Sequence, residues 1–548
     1  MNLYTKPLVI HPDSRSVFVL ESLDETGEVS QGLIEYADIV QAPEQVHTYE
    51  LSPYALWTAK AKGIKSEEVI SFLVKHLQNS LSESFKTVIQ KDMDHFGALE
   101  FWVEEDNLIL KAKSEKLIDQ IKGIKEIENK IIGTPDSNML VFKVRYRKEI
   151  KKILFNQNFF VKDTTYTFGE ELDLKYTSKQ LLEYQKEAVD SYLAYNHQAG
   201  GGGTIIMPPN SGKITVGLKI IEALKTATLI IVEDEYKVDK WQKEIIENTD
   251  VTEQNIAIFD KKGTELKPIT IGTYKNLYNY IDDLKGFGFV IYDDAHNLPT
   301  PTHEKTVDIQ SKNKLALAST LARSEGNGQL VFALIGPKWY QVLYKTLVKK
   351  QYQVPVKCVE VKIPLPEDEW KEYLVRNPKN KVGPDTLNKN KFHTVSVLIK
   401  KEVTKRMLLV SYHNKVIENF SNYLDIDTLS SQTDEENRQR LIHSFNKQEI
   451  NKMIASSKLI EHMPLRIVEV MIALSHQEGS EREEYLRLGK LLPKEGNKAE
   501  AILYSLVSKN TDEERYYSKR RRKLINYGFH YKIITFEELL ERGEFFES

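Results

Sequence analysis

Short apolar runs alternate with helical stretches between about residues 178 and 345, and no other feature of the chain constrains its fold as strongly. The runs are TIIM, TLIIV, IAIF, ITIG, FGFVIYDD, KLALAS and FALIG, and KITVGLKIIEALK and KVDKWQKEIIEN lie between several of them. Strands that are apolar throughout bury both faces, and intervening helices supply the crossovers that parallel pairing needs. The pattern predicts a parallel sheet covered on both sides. A second alternation begins near residue 395 with VSVLIKK, MLLVSY and KVIENFSNYL and runs to the C-terminus, which predicts a second α/β lobe.

A chain of 548 residues is too long for one core, so roughly three or four domains are expected. Residues 1–90 hold strand-like PLVI and SVFVL, then two helices, LSPYALWTAKAKG and SEEVISFLVKHLQNSL, separated at Gly63 and with Ser66 as the expected N-cap of the second. Residues 91–177, with ALEFWV, NLILKA and MLVFKVRY, suggest a small α+β module. The first lobe is placed at 178–345, a turn-rich connector or short insertion at 346–394, and the second lobe with a C-terminal helix at 395–548. Gly200–Gly203 reads as a flexible turn running straight into a strand. The formal net charge of −3 gives no global positive field, so contact with nucleic acid would need local basic faces. Cys358 is the single cysteine, which excludes internal disulfides and cysteine-based zinc sites and fits a reducing compartment. The apolar runs fall well short of the ~20 residues of a membrane span, so no membrane partner is expected.

The segment MPPNSGKITVG, Met207 to Gly217, has the plan of a phosphate-binding loop, with a strand before it and a helix after it. In such loops backbone N–H groups wrap the phosphates, a lysine neutralises charge, and a following hydroxyl holds magnesium. Gly212 and Lys213 are the core of that device. Ile214 offers no oxygen, and Thr215 comes one residue late, about 100° further round a helix. Asn210 stands where a glycine usually lets the backbone close on phosphate. About 80 residues later, FVIYDDAHNLP ends an apolar strand in Asp293-Asp294-Ala295-His296. Carboxylates at such a strand end can hold magnesium and orient an attacking water. Either segment alone is also compatible with an ordinary turn, but the two together point to a nucleotide site.

These segments resemble the superfamily 2 helicases of the XPB type, and the resemblance covers nearly the whole chain. SPYALWTAKAKG, LLEYQKEAVDSYL, ITIGTYKNL, KLALASTLARSEGN and LIGPKWY each resemble family segments. SLVSKNTDEERYYSKRRRKLINYGFHYKIIT and GSEREEYLRLGKLLP are the most specific. The resemblance implies two RecA-like lobes binding ATP and Mg2+ between them, with DNA crossing both and movement in the 3′-to-5′ direction. It assigns Gln185 to adenine, and Gly212, Lys213, Thr215 and His296 to the nucleotide. Asp293 becomes a metal ligand. Lys213, Asp293, Asp294, Arg487 and Lys490 become the catalytic candidates, and Thr273, Tyr274 and Arg323 lie near the DNA track. It also implies a protein partner such as a nuclease or an active helicase. The compact length looks prokaryotic, which implies a cytoplasmic protein, or a nuclear one if eukaryotic.

The departures from the family fall on the chemistry. The hydroxyl after the lysine becomes Ile214, and the expected Asp-Glu pair becomes Asp293-Asp294, one methylene short at the base. Positioning errors of that size can cost on the order of 10²-fold. The coupling motif reads Ala318-Ser319-Thr320, and the Arg-Glu-Asp segment reads Arg323-Ser324-Glu325. Lys490 and Pro493 take the places of two arginines that face the γ-phosphate, where an arginine can be worth about 10³–10⁵ in rate. Leu486 replaces a glutamine, and His462 falls near a position usually held by aspartate. The expectation is a helicase fold with degenerate motifs and weak or absent ATPase, acting as a DNA- or partner-binding scaffold. The rival reading is an active ATP-dependent 3′–5′ DNA helicase or translocase in DNA repair. Two basic runs, KRRRK at 519–523 and VRYRKEIKK at 144–152, read first as solvated helix faces and second as DNA contacts.

Overall fold

The computed structural model describes residues 4–11, 15–42, 45–164, 169–178, 180–319, 327–376, 382–460, 463–476, 481–526 and 528–541. The chain divides into two bodies, residues 1–41 with 45–343 and residues 344–548 with 42–44.

The first body is built around a seven-stranded sheet. Its strands run in the order Ile256–Phe259, Ile269–Thr273, Thr228–Val232, Phe289–Tyr292, Asn313–Ala318, Gly202–Ile206 and Lys338–Gln341, and every pairing is parallel. Six of the seven predicted runs supply strands. The exception is FALIG, whose residues fall in and just after the short helix Leu330–Leu334, while the edge strand forms from the following KWYQ. Phe332 and Leu334 are buried from that helix, so burial alone could not separate it from a strand. The parallel sheet puts the ends of the strands that carry Met207, Thr273, Asp293 and Ser319 at one edge, where open α/β sheets bind ligands.

The four glycines 200–203 are a close-packing strip and not a flexible turn. An added Cβ would meet the Asp163 carbonyl at 1.8 Å from Gly200, the Lys312 carbonyl at 2.0 Å from Gly201, the Ile335 carbonyl at 2.0 Å from Gly202, and the Trp339 ring at 2.1 Å from Gly203. Only a chain without side chains can thread between those neighbours.

Two smaller sheets precede the lobe. Leu8–His11, Ser16–Leu20, Val46–Glu50 and Asp38–Gln41 form an antiparallel four-stranded sheet in that order. The helices Pro53–Ala61 and Ser66–His76 follow it, the second capped by Lys65, one residue earlier than expected. The helix Glu83–Asp94 crosses the expected boundary at 90. The next sheet has the order Ile131–Gly133, Met139–Lys143, Asn107–Ala112, Leu99–Glu104 and Val161–Asp163. An aromatic cluster joins the three pieces. The Tyr54 ring lies 5.0 Å from Phe155, 4.8 Å from Phe160 and 5.5 Å from Phe332, and its hydroxyl donates to the Phe332 carbonyl at 3.3 Å.

The second body carries its own parallel sheet, in the order Thr428–Leu429, Lys452–Ser456, Met407–Ser411, Val470–Ala473, Ala501–Ser508, Val356–Ile363 and His530–Thr535. The strand Val356–Ile363 is internal to this sheet, so residues 346–394 are not a connector and the lobe begins well before 395. VSVLIKK belongs to the helix Lys389–Lys401. The basic run 519–523 lies on the helix Asp512–Asn526, where Arg520 is 3% exposed beside Glu484 and Arg521 grips Glu360 through two 2.7 Å contacts. Those two arginines neutralise buried carboxylates and do not form a solvated face.

Because Tyr54 touches all three parts of the first body, Tyr54→Ala is expected to destabilise it by about 3–5 kcal/mol. Tyr54→Phe, which loses only the hydroxyl contact, should cost about 0.5–1.5 kcal/mol. Urea unfolding of the two variants checks the ranking, and equal losses would mean that the ring packing carries nothing.

Candidate nucleotide site

The strand Gly202–Ile206 runs into the loop, and the helix Lys213–Leu224 follows it. Gly212 precedes that helix in the left-handed conformation at φ 81°, and Asn210 adopts the same region at φ 52°. Asparagine is among the few side chains that tolerate it. Asn210 therefore makes the turn expected of a glycine and leaves the path of the loop intact.

Lys213 is 7% exposed, and a buried ammonium must have acceptors. It donates to the carbonyls of Met207 (3.3 Å) and Pro208 (3.2 Å) and to the Ser319 hydroxyl (2.9 Å). Ser319 is in the stretch that resembles the family's coupling motif, and its hydroxyl ties that stretch to the loop lysine. Ser211 closes the loop from inside, donating to the Pro208 carbonyl at 2.6 Å. The Ser211 carbonyl in turn accepts from Tyr184 (2.9 Å) and from Gln185 Nε2 (3.0 Å). Gln185 Oε1 accepts from the Leu182 N–H at 3.0 Å, which braces this side chain beneath the loop. A Cβ on Gly212 would stand 2.3 Å from Gln185 Nε2 and 3.6 Å from Thr215 Oγ1, so Gln185 and Thr215 share that side of the loop. Ile214 and Thr215 are both half-buried.

Asp293 follows the strand Phe289–Tyr292 and is 3% exposed. Its Oδ2 accepts from the Trp241 indole at 2.9 Å and its Oδ1 from the Asp294 N–H at 3.0 Å. Trp241, on the helix Glu235–Asn248, presses on Gly217 of the loop helix, where a Cβ would come within 2.7 Å of the ring. Gly217, Trp241 and Asp293 thus form one chain of contacts that sets the carboxylate against the loop helix.

Asp294 has left-handed backbone at φ 48°, and its Oδ2 lies 3.0 Å from Lys237 Nζ. Burial pushes the Asp294 carboxyl up, but Lys237, then His296 and Lys213, outweigh it and hold the group well below the usual carboxylate range. A carboxylate held that way is a weak proton acceptor. His296 is half-buried just beyond it. The residue pattern did not single out Lys237 or Trp241. They stand four apart on one helix and so share a face, with Val238, Trp241 and Ile245 as its buried residues. A helix that aims Trp241 at Asp293 brings Lys237 to Asp294.

Two of the side chains expected near the DNA track are buried. Tyr274 is fully buried, stacked on His303 at 4.7 Å and donating to the Asp293 carbonyl at 3.3 Å. Thr273 is 2% exposed and caps the short helix Tyr274–Leu277 by accepting from the Asn276 N–H at 3.1 Å. Both are structural supports of the acidic strand end. Thr320, Arg323, Ser324, Glu325 and His462 lie outside the described residues, as does the side chain of Leu486.

In the second body Arg487 and Lys490 sit on the helix Glu481–Leu491. Arg487 is 1% exposed and paired with Glu484 at 2.6 Å, which puts its guanidinium inside the lobe and not at a surface. Lys490 is half-buried and donates to the Met463 carbonyl at 2.5 Å.

The first-body residues fit a polyphosphate: a left-handed glycine, a helix N-terminus and a lysine converge there. The fit to magnesium is partial. Asp293 keeps about one lone pair on each oxygen for an ion or its water, but Ile214 has no ligand atom and Asp294 is engaged by Lys237.

The model of the ERCC3/RAD25/XPB C-terminal helicase matches residues 347–546. The Type III restriction enzyme res subunit model matches 178–323, and a helicase conserved C-terminal domain model matches 8–132. The chain is 28% identical to "DNA 3'-5' helicase XPB" of Kineococcus radiotolerans, covering 97% of both proteins. It is 27% identical to the protein of the same name from Mycobacterium tuberculosis, covering 97% of this chain and 98% of that one. Against the XPB subunit of the general transcription and DNA repair factor IIH from Enterocytozoon bieneusi the identity is 25%, over 97% of this chain and 93% of that protein. Among solved structures, the ATP-dependent Type ISP restriction-modification enzyme LlaBIII bound to DNA aligns with a TM-score of 0.51 at 13% identity, over 66% of this chain and 31% of that one, a likeness of fold. With the loop, the acidic strand end and relatives matched end to end, the chain is similar over nearly its whole length to the XPB-like superfamily 2 helicases.

Proposed function

We propose that this chain binds DNA and holds nucleoside triphosphate in the Gly212–Lys213 loop with weak or absent turnover, serving as a DNA- or partner-binding scaffold of helicase fold. The observation that carries the reading is the Lys237–Asp294 ion pair at 3.0 Å. Asp294 stands where the base that activates water is expected, and its carboxylate is both a methylene short and engaged by a cation. Ile214 without a magnesium ligand atom, and Lys490 in place of an arginine, weaken the same reaction at two further points. DNA as the bound polymer follows from the relatives' names. A nuclease or an active helicase is the class of partner such a scaffold would serve.

The other reading is an active ATP-dependent 3′–5′ helicase or translocase. It draws on the intact loop path at Asn210 and on Asp293, which Trp241 holds in place. In that case Thr215, Asp294 and Lys490 act as imperfect substitutes.

Phosphate release by the purified protein in saturating duplex DNA separates the two readings. The expected rate is no higher than that of Lys213→Ala, with DNA affinity equal in both. A DNA-stimulated rate that Lys213→Ala abolishes would overturn the scaffold reading. A repair experiment follows from the same geometry. The combined variant Lys237→Ala, Asp294→Glu and Ile214→Thr should raise turnover on the order of 10²-fold. Asp294→Glu alone should gain much less, because Lys237 still holds the carboxylate. Equal gains from the single and combined variants would remove Lys237 from the account.

A further inference from the structure

The basic run 144–152 does not face bulk solvent as a whole. It becomes the helix Arg147–Asn156, which lies against the first lobe. Lys148 pairs with Asp308 at 2.7 Å, Lys152 with Glu304 at 2.8 Å, and Arg147 reaches Gln310 at 3.3 Å. Behind these contacts is a cavity of about 270 Å3 between the small module and the lobe. Six basic side chains line it, from Arg145 to Lys314, against two carboxylates, Asp163 and Asp308. Asp163 is already taken by Arg147 (2.7 Å) and Lys151 (2.9 Å). The cavity therefore keeps a formal excess of about four positive charges in a partly desolvated space, a cost that an anion would relieve.

Lys314 marks the inner wall. It comes from the strand Asn313–Ala318, is 7% exposed, donates to the Val307 carbonyl at 2.6 Å, and forms no ion pair among the described residues. Burial first, then Arg147 and Lys151 from the helix, push its ammonium down to about 7, and Asp163 and Asp308 only partly oppose them. The glycine strip confines the other side, since Gly200 and Gly202 also line the space and packing leaves no room there for a side chain.

We propose that this cavity is an anion site that takes the phosphate group of a phosphate-bearing ligand, bound by Lys314, Lys151 and Lys312 at the seam between the module and the lobe. The site is separate from the Lys213 loop, and the inference holds whether or not that loop turns over nucleotide. An anion beside Lys314 raises its pKa, so binding takes up a proton. Once the phosphate is a dianion, affinity should fall as pH rises above about 7.

Calorimetric titration of the full chain with inorganic phosphate and with pyrophosphate, against chloride at matched ionic strength, tests the proposal. To leave the Lys213 loop out of the reading, the titrations are repeated in Lys213→Ala. Expected is saturable binding that survives Lys213→Ala, weakens about tenfold or more two pH units above 7, and is lost in Lys314→Met. Lys151→Gln should weaken it about tenfold. Because Lys314→Met removes an unpaired buried charge, its thermal stability should match or exceed the parent's, which separates loss of the site from loss of the fold. Oligonucleotides with and without a 5′-phosphate distinguish the source: preference for the phosphorylated strand, abolished by Lys314→Met, assigns a strand end, and indifference assigns a free phosphate compound. Failure of both phosphate and pyrophosphate to bind, or binding unchanged in Lys314→Met, would overturn the proposal.

Discussion

A buried ammonium must have acceptors, and the arrangement around Lys213 follows from that demand. The lysine sits at the edge of a seven-stranded parallel sheet, and its acceptors come from Met207, Pro208 and Ser319. Meeting them requires the loop to turn at Asn210 and Gly212, and requires the strand that ends in Ala318 to run beside the one that ends in Ile206. The same demand operates on the acids. Asp293 is satisfied by Trp241 and by the next peptide N–H, and Asp294 by Lys237. The result is a loop whose backbone has a phosphate-binding shape while its charged groups are largely satisfied by the protein itself.

Much of this was legible in the residues because the relevant signals are local. Continuous apolar runs marked strands, and Gly-Lys before a helix and paired acids after a strand marked the site edge. What was hidden depends on pairs distant in sequence. The strand Val356–Ile363 reads VKCVEVKI, too charged for an internal strand, yet Lys357 pairs with Glu500, Lys362 with Glu514, and Glu360 with Arg521. That last pair also explains why the basic run 519–523 looked like a solvated face: Arg521 is committed to a carboxylate 161 residues away. Tyr274 is a similar case, since the residues around it give no hint that its hydroxyl serves the Asp293 carbonyl, just past a strand two places away in the sheet.

Lys237 changes the meaning of the departures most. A shortened base could in principle still reach a water, and a missing magnesium hydroxyl could be covered by Thr215. If Asp294 is the base, as proposed, a cation on its carboxylate acts against the chemistry directly, because it stabilises the charged form that would have to accept a proton. Asn210, by contrast, reads as a faithful substitute once its left-handed backbone is known. On the proposed reading the losses fall on proton transfer and metal ligation, while the loop keeps its phosphate-binding shape.

The central claim is that nucleotide is held without being hydrolysed. Single-turnover quenching, with protein and duplex DNA in excess over labelled ATP, tests it most directly. The account predicts that the label stays on ATP and that Lys213→Ala releases it from the protein. Label appearing as ADP at a rate set by DNA and abolished by Lys213→Ala would contradict it.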